Sequence, residues 1–405
     1  MDFRDSPVEA AFRAEARAFL AAHPPAKMPD YFGSADVEAE RAEAVDDAPA
    51  TLALWRSWQQ TLHRHGWAAI TWPQAFGGRG LGPIEQIIWN QELARTGMGE
   101  SLFVVGIGMA GPTLIAHGTP EQKARYLPPM LRGDEIWCQL FSEPGAGSDL
   151  ASLATRAVRD GDDWIVSGQK TWCSGGHYAD FGILLARSDP KVPKHAGITY
   201  FLADMRAPGV SVRPLRQMTG GLHFNEVFLD GVRIPDAQRL GPVGGGWGVA
   251  MTTLMNERMA IGGIERWLDF DALVRHAQAN RERLDAVTRD ELARLYTWVR
   301  TLELLNAKVI TQLGQGRFAA AESSVMKLAL ARILTKASEL GLRLIGPDAL
   351  ARHGSWQNQF LGAPALHIAG GTDEVQKNVA AERVLGLPRE PRRDRDVAFE
   401  DLPRG

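Results

Sequence analysis

Hydrophobic and polar positions divide the chain into three successive blocks. The first block, up to about residue 135, is rich in alanine and charged residues, as in segment 9–15, and this composition favours helices. A helix over residues 113–131 is predicted to be interrupted at Pro120, because Gly118-Thr119 forms a cap and a proline suits the first helical turn. The first block is therefore predicted to be helical.

Between Trp137 and about Leu240 the pattern changes to short apolar runs separated by Gly, Asp and Pro residues. The clearest runs are residues 164–166, 182–185 and 198–202. Apolar runs of this length between turn residues are typical of β-strands. We therefore predict that the middle block is a β-barrel or a β-sandwich.

A helical period returns after the three glycines at residues 244–246. Apolar side chains then recur at three- and four-residue spacing along one stripe, which comprises Leu292, Leu295, Tyr296, Val299, Leu302, Leu305, Val309 and Leu313. Such a stripe is typical of a packed helix, and it fits either a contact with another subunit or the chain's own core.

These blocks predict an α+β fold with three domains and a tail. We expect an N-terminal α-helical domain over residues 1–135, a middle β domain over 136–240 and a C-terminal helical bundle over 241–387. Residues 388–405 are rich in proline and charge, and they are expected to form a flexible or surface-bound tail.

Composition narrows the classes of function. The chain has 405 residues, of which 45% are hydrophobic, and this is enough for a large core. A net charge of −3 gives no electrostatic signature of nucleic-acid binding, and no apolar run is long enough to span a membrane. The first residues lack the features of a signal peptide, and the cysteines, Cys138 and Cys173, have no nearby histidine pairs. We therefore expect a cytoplasmic enzyme without a metal site.

Two segments carry the candidate chemistry. Residues 142–149, Ser-Glu-Pro-Gly-Ala-Gly-Ser-Asp, form a turn whose glycines let backbone N–H groups approach a ligand. About two dozen residues later, segment 170–176 leaves a strand through Trp172, whose ring offers a flat face for packing, and through Ser174. Together the two segments indicate a site for a planar cofactor with polar edges.

This pair of segments, in this order and at this spacing, closely resembles the flavin-binding strands of the acyl-CoA dehydrogenase family. The resemblance extends over nearly the whole chain, through Gly66-Trp67, Trp72-Pro73 and the glycine-rich segment 76–80. It implies an N-terminal helical domain, a middle β domain and a C-terminal four-helix bundle, with FAD between the β domain and the bundle. It also implies a homodimer or homotetramer in which each subunit completes its neighbour's flavin site.

The resemblance assigns roles to individual residues near the flavin ring. Serines of the first segment bond the ring or face the substrate, and Trp172 packs at the ring. The implied ring-site residues are Phe141, Ser142, Gly147, Ser148, Trp172 and Ser174. Taken alone, each serine fits ordinary turn chemistry and Trp172 fits a core aromatic, but all of them fit one site.

The adenine end of the cofactor site departs from the family pattern. Where members often carry Arg-x-x-Phe-Gly, this chain has Arg281-Glu282-Arg283-Leu284, and Arg343 precedes Ile345-Gly346 where a Gln and a Gly pair are usual. Arg343 and Gly346 are expected to meet the FAD diphosphate or adenosine, because an arginine suits a phosphate. A surface arginine is the alternative. Thr372 and Glu374 are further cofactor-site candidates.

The expected position of the catalytic base also differs from that in the medium-chain members of the family. Those members carry the base as a Glu before Gly-Thr in a loop. Gly370 occupies that place here, and its backbone N–H is expected to bond the thioester oxygen. Isovaleryl- and long-chain-type members take the base from a helix, and the matching pair is Glu257-Arg258. These are the only charges between residues 247 and 264, and an unpaired charge on a buried helix is costly. A glutamate paired to another helix is the alternative.

The implied reaction is FAD-dependent α,β-dehydrogenation of an acyl-CoA to a trans-2-enoyl-CoA, with electrons passed to an electron-transfer flavoprotein. Glu257 is expected to remove the α-proton, and Arg258 to orient the Glu257 carboxylate beside the substrate. The space left at Gly370 suggests a branched or bulky acyl group. Ser148 faces the substrate end. The departures at Arg281 and Arg343 leave a non-catalytic subunit of a heteromeric dehydrogenase as an alternative, and a flavin oxidase or desulfinase of the same fold as another.

Overall fold

The structure is a computed structural model. It describes residues 5–26, 48–98, 101–260, 268–314, 320–350, 354–391, 394 and 396–403, and of residues 48, 258–260, 313–314 and 320–321 it describes the backbone.

The described helices follow one another in chain order. They are α1 (Pro7–Ala22), α2 (Ala48–Arg64), α3 (Pro83–Ala94), α4 (Gly111–His117), α5 (Pro120–Arg132), α6 (Gly246–Ala260), α7 (Phe270–Ala279), α8 (Ala286–Gly314), α9 (Ala320–Ile345), α10 (Ser355–Leu366) and α11 (Asp373–Val379). One π-helical turn, Gly106–Ala110, precedes α4, and another, Ala380–Val384, follows α11. None of these helices is long and apolar enough to cross a membrane.

The described strands are confined to the middle of the chain. They are β1 (Trp137–Leu140), β2 (Arg156–Asp160), β3 (Asp163–Lys170), β4 (Phe181–Arg187), β5 (Ile198–Asp204), β6 (Val210–Leu215), β7 (Phe224–Pro235) and β8 (Arg239–Leu240). The three predicted apolar runs fall within β3, β4 and β5, so their prediction as strands is confirmed.

The predicted interruption at Pro120 is confirmed by the start of α5. The Thr119 hydroxyl accepts a hydrogen bond from the Gln122 backbone N–H, and the Gln122 side chain in turn bonds the Thr119 backbone. Pro120 occupies the first helical turn, where its missing N–H leaves no bond unmade. Helix α5 ends at Gly133, whose left-handed φ of 75° suits a residue without a side chain.

The chain divides into two compact units. The first unit contains residues 1–51, 81–100 and 261–389, and its described elements are helical. The second contains residues 52–80, 101–260 and 390–405, and it includes the sheet together with α4, α5 and α6.

In the first unit, α7, α8 and α9 pack around a shared apolar core. Leu295, Val299 and Leu302 of α8 are buried there against residues such as Leu273 and Leu334. The buried members of the predicted stripe therefore fill the chain's own core, whereas Tyr296 is half exposed. The stripe accordingly gives no evidence for a subunit contact.

In the second unit, all described strands belong to one sheet. Its order is β6-β7-β3-β2-β4-β5-β8, and β1 also pairs in parallel with β4, on the edge of β4 that faces away from β5. Along β4, Ile183 and Leu185 contribute to a core shared with α4, α5 and α6, whereas Leu184 and Ala186 contribute to a second core. Because both faces are covered, the strand is a continuous apolar run without alternation.

The second core lies inside the curl of the sheet itself. Its members come from the neighbouring strands β3 and β7, for example Val166 and Leu229, and from β5, which is distant from them in the sheet order, for example Phe201. The sheet therefore bends around this core, and its outer face carries the helices. This arrangement sets the ends of β1 and β3 next to each other.

A buried ion pair connects those two strand ends. The Lys170 side chain at the end of β3 has no exposed surface, and its Nζ lies 2.7 Å from Glu143 Oε1 and 3.1 Å from the Phe141 carbonyl oxygen. The Glu143 carboxylate also accepts backbone N–H bonds from Ala154 at 2.7 Å and Thr155 at 2.9 Å. The pair thus fixes the segment after β1 against β3.

We expect Glu143→Gln to destabilise the protein by about 3–5 kcal/mol, because it leaves the Lys170 ammonium buried without a counter-charge. The double variant Glu143→Gln/Lys170→Met removes both charges and should recover most of that loss. Urea denaturation followed by tryptophan fluorescence measures both. Equal destabilisation by the single and double variants would contradict this role.

Acid should have the same effect as the single substitution. Burial alone would raise the pKa of Glu143, but the Lys170 ammonium and the backbone donors outweigh burial and hold that pKa below its usual range. The stabilisation is therefore present above the unfolded-state value of about 4.3 and is lost as pH falls through the lower folded-state value. Between these two pKa values, the free energy of unfolding should change less with pH in Glu143→Gln than in the parent protein.

Candidate active site

The predicted flavin turn follows β1 as a tight, mostly exposed loop. The Glu143 and Ala146 backbones exchange two N–H···O bonds of 3.0 Å, which closes the turn. Gly147 and Ser148 are exposed beyond it, and a β-carbon built on Gly147 would meet no atom within 4 Å. Phe141 is different from the other predicted residues, because its ring is buried and packs edge-on against Tyr200 with 5.8 Å between centroids. Its contribution to the loop is the carbonyl that holds Lys170.

Trp172 is held in an unusual backbone conformation. Its φ of 60° makes it the one non-glycine residue with positive φ in the part of the chain that the structure describes. Its side chain is 60% exposed and touches Phe224 edge-on. An exposed, strained aromatic residue is a common feature of ligand sites, where the strain is offset elsewhere.

Hydrogen bonds fix the Trp172 loop on both sides. The Thr171 N–H donates to the Ser142 carbonyl at 2.9 Å, so the two predicted segments are directly joined. The Cys173 N–H donates to the Asn225 carbonyl at 3.0 Å, and the buried Asn225 amide returns a bond of 2.9 Å to the Cys173 carbonyl. The structure therefore brings Ser142, Trp172 and the half-buried Ser174 into one small surface.

Glu257 lies on α6, half-buried, in the same unit. Its Oε2 is 3.5 Å from Nε2 of Gln139, at the outer limit of a hydrogen bond. Gln139 belongs to β1, three residues before Ser142, so the carboxylate stands beside the strand that leads into the flavin turn. Gln139 is not among the residues predicted from the sequence, although an amide within the apolar strand Trp137–Leu140 was a usable signal. The predicted role of Arg258 falls on a side chain outside the described residues.

A buried cluster of hydroxyl groups holds α6 one turn before Glu257. The Thr253 hydroxyl lies 2.9 Å from that of Thr113 on α4 and 3.1 Å from the Tyr200 phenol on β5. All three side chains are fully buried, and burial raises the pKa of Tyr200, so the phenol keeps its proton. Thr253 and Glu257 are four residues apart on the helix, so the cluster fixes the helical face that carries the carboxylate.

In the first unit, the predicted adenine-end residues Arg343 and Gly346 contact other residues of the same unit. Arg343 forms an ion pair with Glu291 of α8 and is about half exposed. Gly346 has a φ of 76°, and a β-carbon there would lie 2.6 Å from Nε of Arg283. The structure thus joins the 281–283 turn to the end of α9, and it shows Arg343 already bonded to a carboxylate.

The loop around Gly370 is shaped by two consecutive glycines of positive φ, 63° at Gly370 and 88° at Gly371. Gln376 Nε2 donates to the Gly370 carbonyl at 2.8 Å. The Thr372 hydroxyl caps α11 by accepting from the Val375 N–H at 3.2 Å. Glu374, in the first turn of α11, is exposed, with 3.6 Å between its Oε1 and Lys377 Nζ.

The Asp373 side chain connects the end of this loop to two neighbouring side chains. Its carboxylate lies 2.6 Å from Nδ1 of His367 and 2.9 Å from Nζ of Lys327. Burial alone would raise the pKa of Asp373, but His367 and Lys327 outweigh it and hold that pKa below its usual range. The backbone N–H groups of the loop are therefore set in place by side chains on α9, α10 and α11.

Among the residues that the structure describes, the cysteines and the possible metal ligands form no competing site. Burial raises the pKa of Cys138, and it raises that of Cys173 to about 12, so both thiols stay protonated. Within the described residues no group of His, Cys, Asp and Glu could hold a metal ion. Asp149 lies at the start of the short helical turn Leu150–Ser152, accepts a bond from the Ser152 hydroxyl and forms an ion pair of 2.7 Å with Lys194.

A cavity of about 750 Å³ lies along α5 and contains none of the predicted site residues. Each of its lining arginines is paired with a carboxylate of the lining: Arg125 with Glu135 at 2.7 Å, Arg132 with Asp134 at 2.7 Å, and Arg206 with Asp180. We therefore place the candidate site at the flavin turn, the Trp172 loop and Glu257.

Several known proteins are similar to this chain in sequence and in fold. The acyl-CoA dehydrogenase FadE34 of Mycobacterium tuberculosis is 44% identical over 88% of this chain and 49% of its own length, so the chain spans about half of that relative. The solved structure of the Tcur3481-Tcur3483 steroid ACAD covers 96% of this chain and 100% of its own, with a TM-score of 0.81 and 30% identity. The ChsE4-ChsE5 complex from Mycobacterium tuberculosis covers the same shares with a TM-score of 0.78 and 30% identity.

Three family models cover nearly the whole chain. The N-terminal, middle and C-terminal domains of acyl-CoA dehydrogenase match residues 6–134, 138–232 and 244–385. Enzymes of this family are oxidoreductases that use FAD, which agrees with the joined flavin turn and Trp172 loop. The chain therefore belongs to the acyl-CoA dehydrogenase family.

Proposed function

We propose that this protein dehydrogenates the Cα–Cβ bond of an acyl-CoA thioester to give a trans-2-enoyl-CoA, with Glu257 as the general base. Electrons then leave to an electron-transfer flavoprotein. The contact between Gln139 and Glu257 carries the proposal, because it holds a carboxylate beside the strand that enters the flavin turn. A carboxylate in an apolar cleft is suited to accept a weakly acidic proton.

The residues of the flavin turn and the Trp172 loop fit a flavin. The exposed Trp172 ring offers a face for the ring system, and Ser142, Ser148 and Ser174 supply small hydrogen-bonding groups around it. The open space at Gly147 allows close approach to the backbone. FAD, when bound, supplies the acceptor for the β-hydride.

The protein's own residues then have three tasks. Glu257 takes the α-proton, and the Gln139 amide orients the carboxylate towards it. The backbone N–H groups at Gly370 are proposed to stabilise negative charge on the thioester oxygen, in a loop whose shape Gln376 fixes. Rigid positioning of these groups supplies much of the rate enhancement.

We infer that the acyl group is bulky, of the steroid type. Gly370 adds no side chain where other family members carry a glutamate, which leaves room beside the thioester. Support comes from the similar solved structure described as a steroid ACAD, which covers 96% of this chain.

A heteromeric assembly is the second part of the proposal. The chain keeps the ring-site residues and a base, but lacks the Arg-x-x-Phe-Gly segment that a subunit lends to its neighbour's FAD. Arg283 instead packs on Gly346, and Arg343 is paired with Glu291. A second, related chain that carries the segment would complete this chain's site. The ChsE4-ChsE5 complex, which is similar in fold at 30% identity, supports such an arrangement.

Glu257→Gln should abolish flavin reduction by an acyl-CoA while FAD content is kept. Glutamine has nearly the same size but cannot accept the proton, so the anaerobic reduction rate should fall by at least about 10²–10⁴-fold. Stopped-flow absorbance of the flavin measures this, with the exposed Glu121→Gln as the matched control. If the flavin of Glu257→Gln is reduced at the wild-type rate, the base is another residue, or this chain is the non-catalytic subunit.

Replacing Trp172 should affect stability and cofactor binding in opposite directions. Trp172→Gly relieves a backbone strain of about 1–3 kcal/mol, so the FAD-free protein should be no less stable than the parent. The same change removes the ring and should weaken FAD binding. Trp172→Ala is the control, since it removes the ring but keeps the strain. FAD binding unchanged in both variants would exclude Trp172 from the flavin site.

Assembly is tested by producing the chain alone and together with a related dehydrogenase chain that carries the missing segment. We expect a stable complex of unlike chains with a single FAD for each pair, measured by light scattering and flavin absorbance. An active homo-oligomer with FAD in every copy would refute the heteromeric proposal and leave the homodimer or homotetramer.

A further inference from the structure

Residues 396–403, with Asp394, form a strap that is bound to the loop between β4 and β5. The Phe399 N–H donates to the Val192 carbonyl and the Glu400 N–H to the Pro190 carbonyl, both at 3.0 Å. Pro193 and Ala398 also pair as an isolated β-bridge. Of the two predicted states of the tail, flexible or surface-bound, the described residues show the bound one.

The strap covers a buried arginine. Arg187, at the end of β4, is 3% exposed, and its guanidinium donates to the carbonyl oxygens of Ala151 at 2.6 Å and Leu153 at 3.1 Å. A third bond of 2.6 Å goes to the Lys194 carbonyl. The Phe399 ring lies over the guanidinium at 3.7 Å. Burial lowers the pKa of Arg187 to about 10, because the charge is far from water.

The strap also meets a lysine that reaches the flavin turn. Lys194 Nζ lies 2.6 Å from Asp394 Oδ2 and 2.7 Å from Asp149 Oδ2. Asp149 directly follows Ser148, and its carboxylate accepts a further bond of 2.5 Å from the Ser152 hydroxyl. Arg187 and Lys194 therefore bind residues 149–153 on one side. On the other side the strap contacts both cations, with Phe399 on Arg187 and Asp394 on Lys194.

We propose that the strap is a positioning element for FAD: Phe399 on Arg187 and Asp394 on Lys194 fix segment 149–153 and thereby the adjoining Gly147 and Ser148. This inference rests on the proposed flavin role of that turn. Phe399 supplies a cation–π contact and excludes water, so that Arg187 keeps its bonds to the backbone carbonyls. The Lys194 ammonium is held between the carboxylates of Asp394 and Asp149, and without Asp394 it would pair with Asp149 alone.

The test is the rate of FAD release from the holoenzyme. Phe399→Leu keeps an apolar side chain but removes the ring face, and FAD release should be faster by about 3- to 30-fold. Phe399→Trp keeps the ring face and should release FAD at the parent rate. Glu400→Gln, in the same strap, is the matched control, because its exposed side chain lies outside these contacts.

A second readout separates positioning from general stability. The visible circular dichroism of the bound flavin should change in Phe399→Leu and be restored in Phe399→Trp, while thermal unfolding of the FAD-free protein changes little. The proposal is overturned if Phe399→Leu and Phe399→Trp release FAD equally, or if release follows only a lowered unfolding temperature. If Trp172→Gly also leaves release unchanged, the flavin assignment itself fails rather than the strap.

Discussion

The buried ion pair between Glu143 and Lys170 is the contact on which the rest of the candidate site depends. It joins two segments 27 residues apart, and the same ammonium also holds the Phe141 carbonyl. Without this pair, the Thr171–Ser142 backbone bond would have to set the spacing of the flavin turn and the Trp172 loop. The pair therefore converts two loops into one rigid surface, and it provides the support that a strained residue such as Trp172 requires.

Glu257 is held by different means, through a helix fixed from several sides. Thr113 and Tyr200 bond Thr253 inside the core, and Gln139 reaches the carboxylate from β1. A side chain on such a helix is positioned as accurately as the core residues, because neighbouring turns of the helix cannot shift independently. A base carried by a loop depends on the hydrogen bonds of that loop. The candidate site accordingly combines a proposed base on a rigid helix with a turn whose neighbouring segments are fixed by ion pairs.

The sequence was informative where the signals were local. The cap and proline at Thr119–Pro120, the strand runs, and the proximity of the segments that carry Ser142 and Trp172 follow from short motifs, and the structure agrees with them. Long-range pairs carried no local signal: Gln139 and Glu257 are 118 residues apart, and Thr113 and Thr253 are 140 apart. The stripe on α8 was compatible with a core or an interface, since both bury the same side chains. The domain boundaries and the individual site roles stay predictions.

The two glycines at 370–371 also bear on how a catalytic base can move between loop and helix during evolution. Both have φ in the left-handed region, at 63° and 88°, where a side chain costs about 1–2 kcal/mol. A glutamate introduced at Gly370 would gain a carboxylate but distort the loop whose carbonyl Gln376 holds. The left-handed backbone therefore disfavours a glutamate at Gly370 unless the loop changes its conformation as well. The proposed base on helix α6 is free of this constraint, because a helical backbone takes a glutamate without strain.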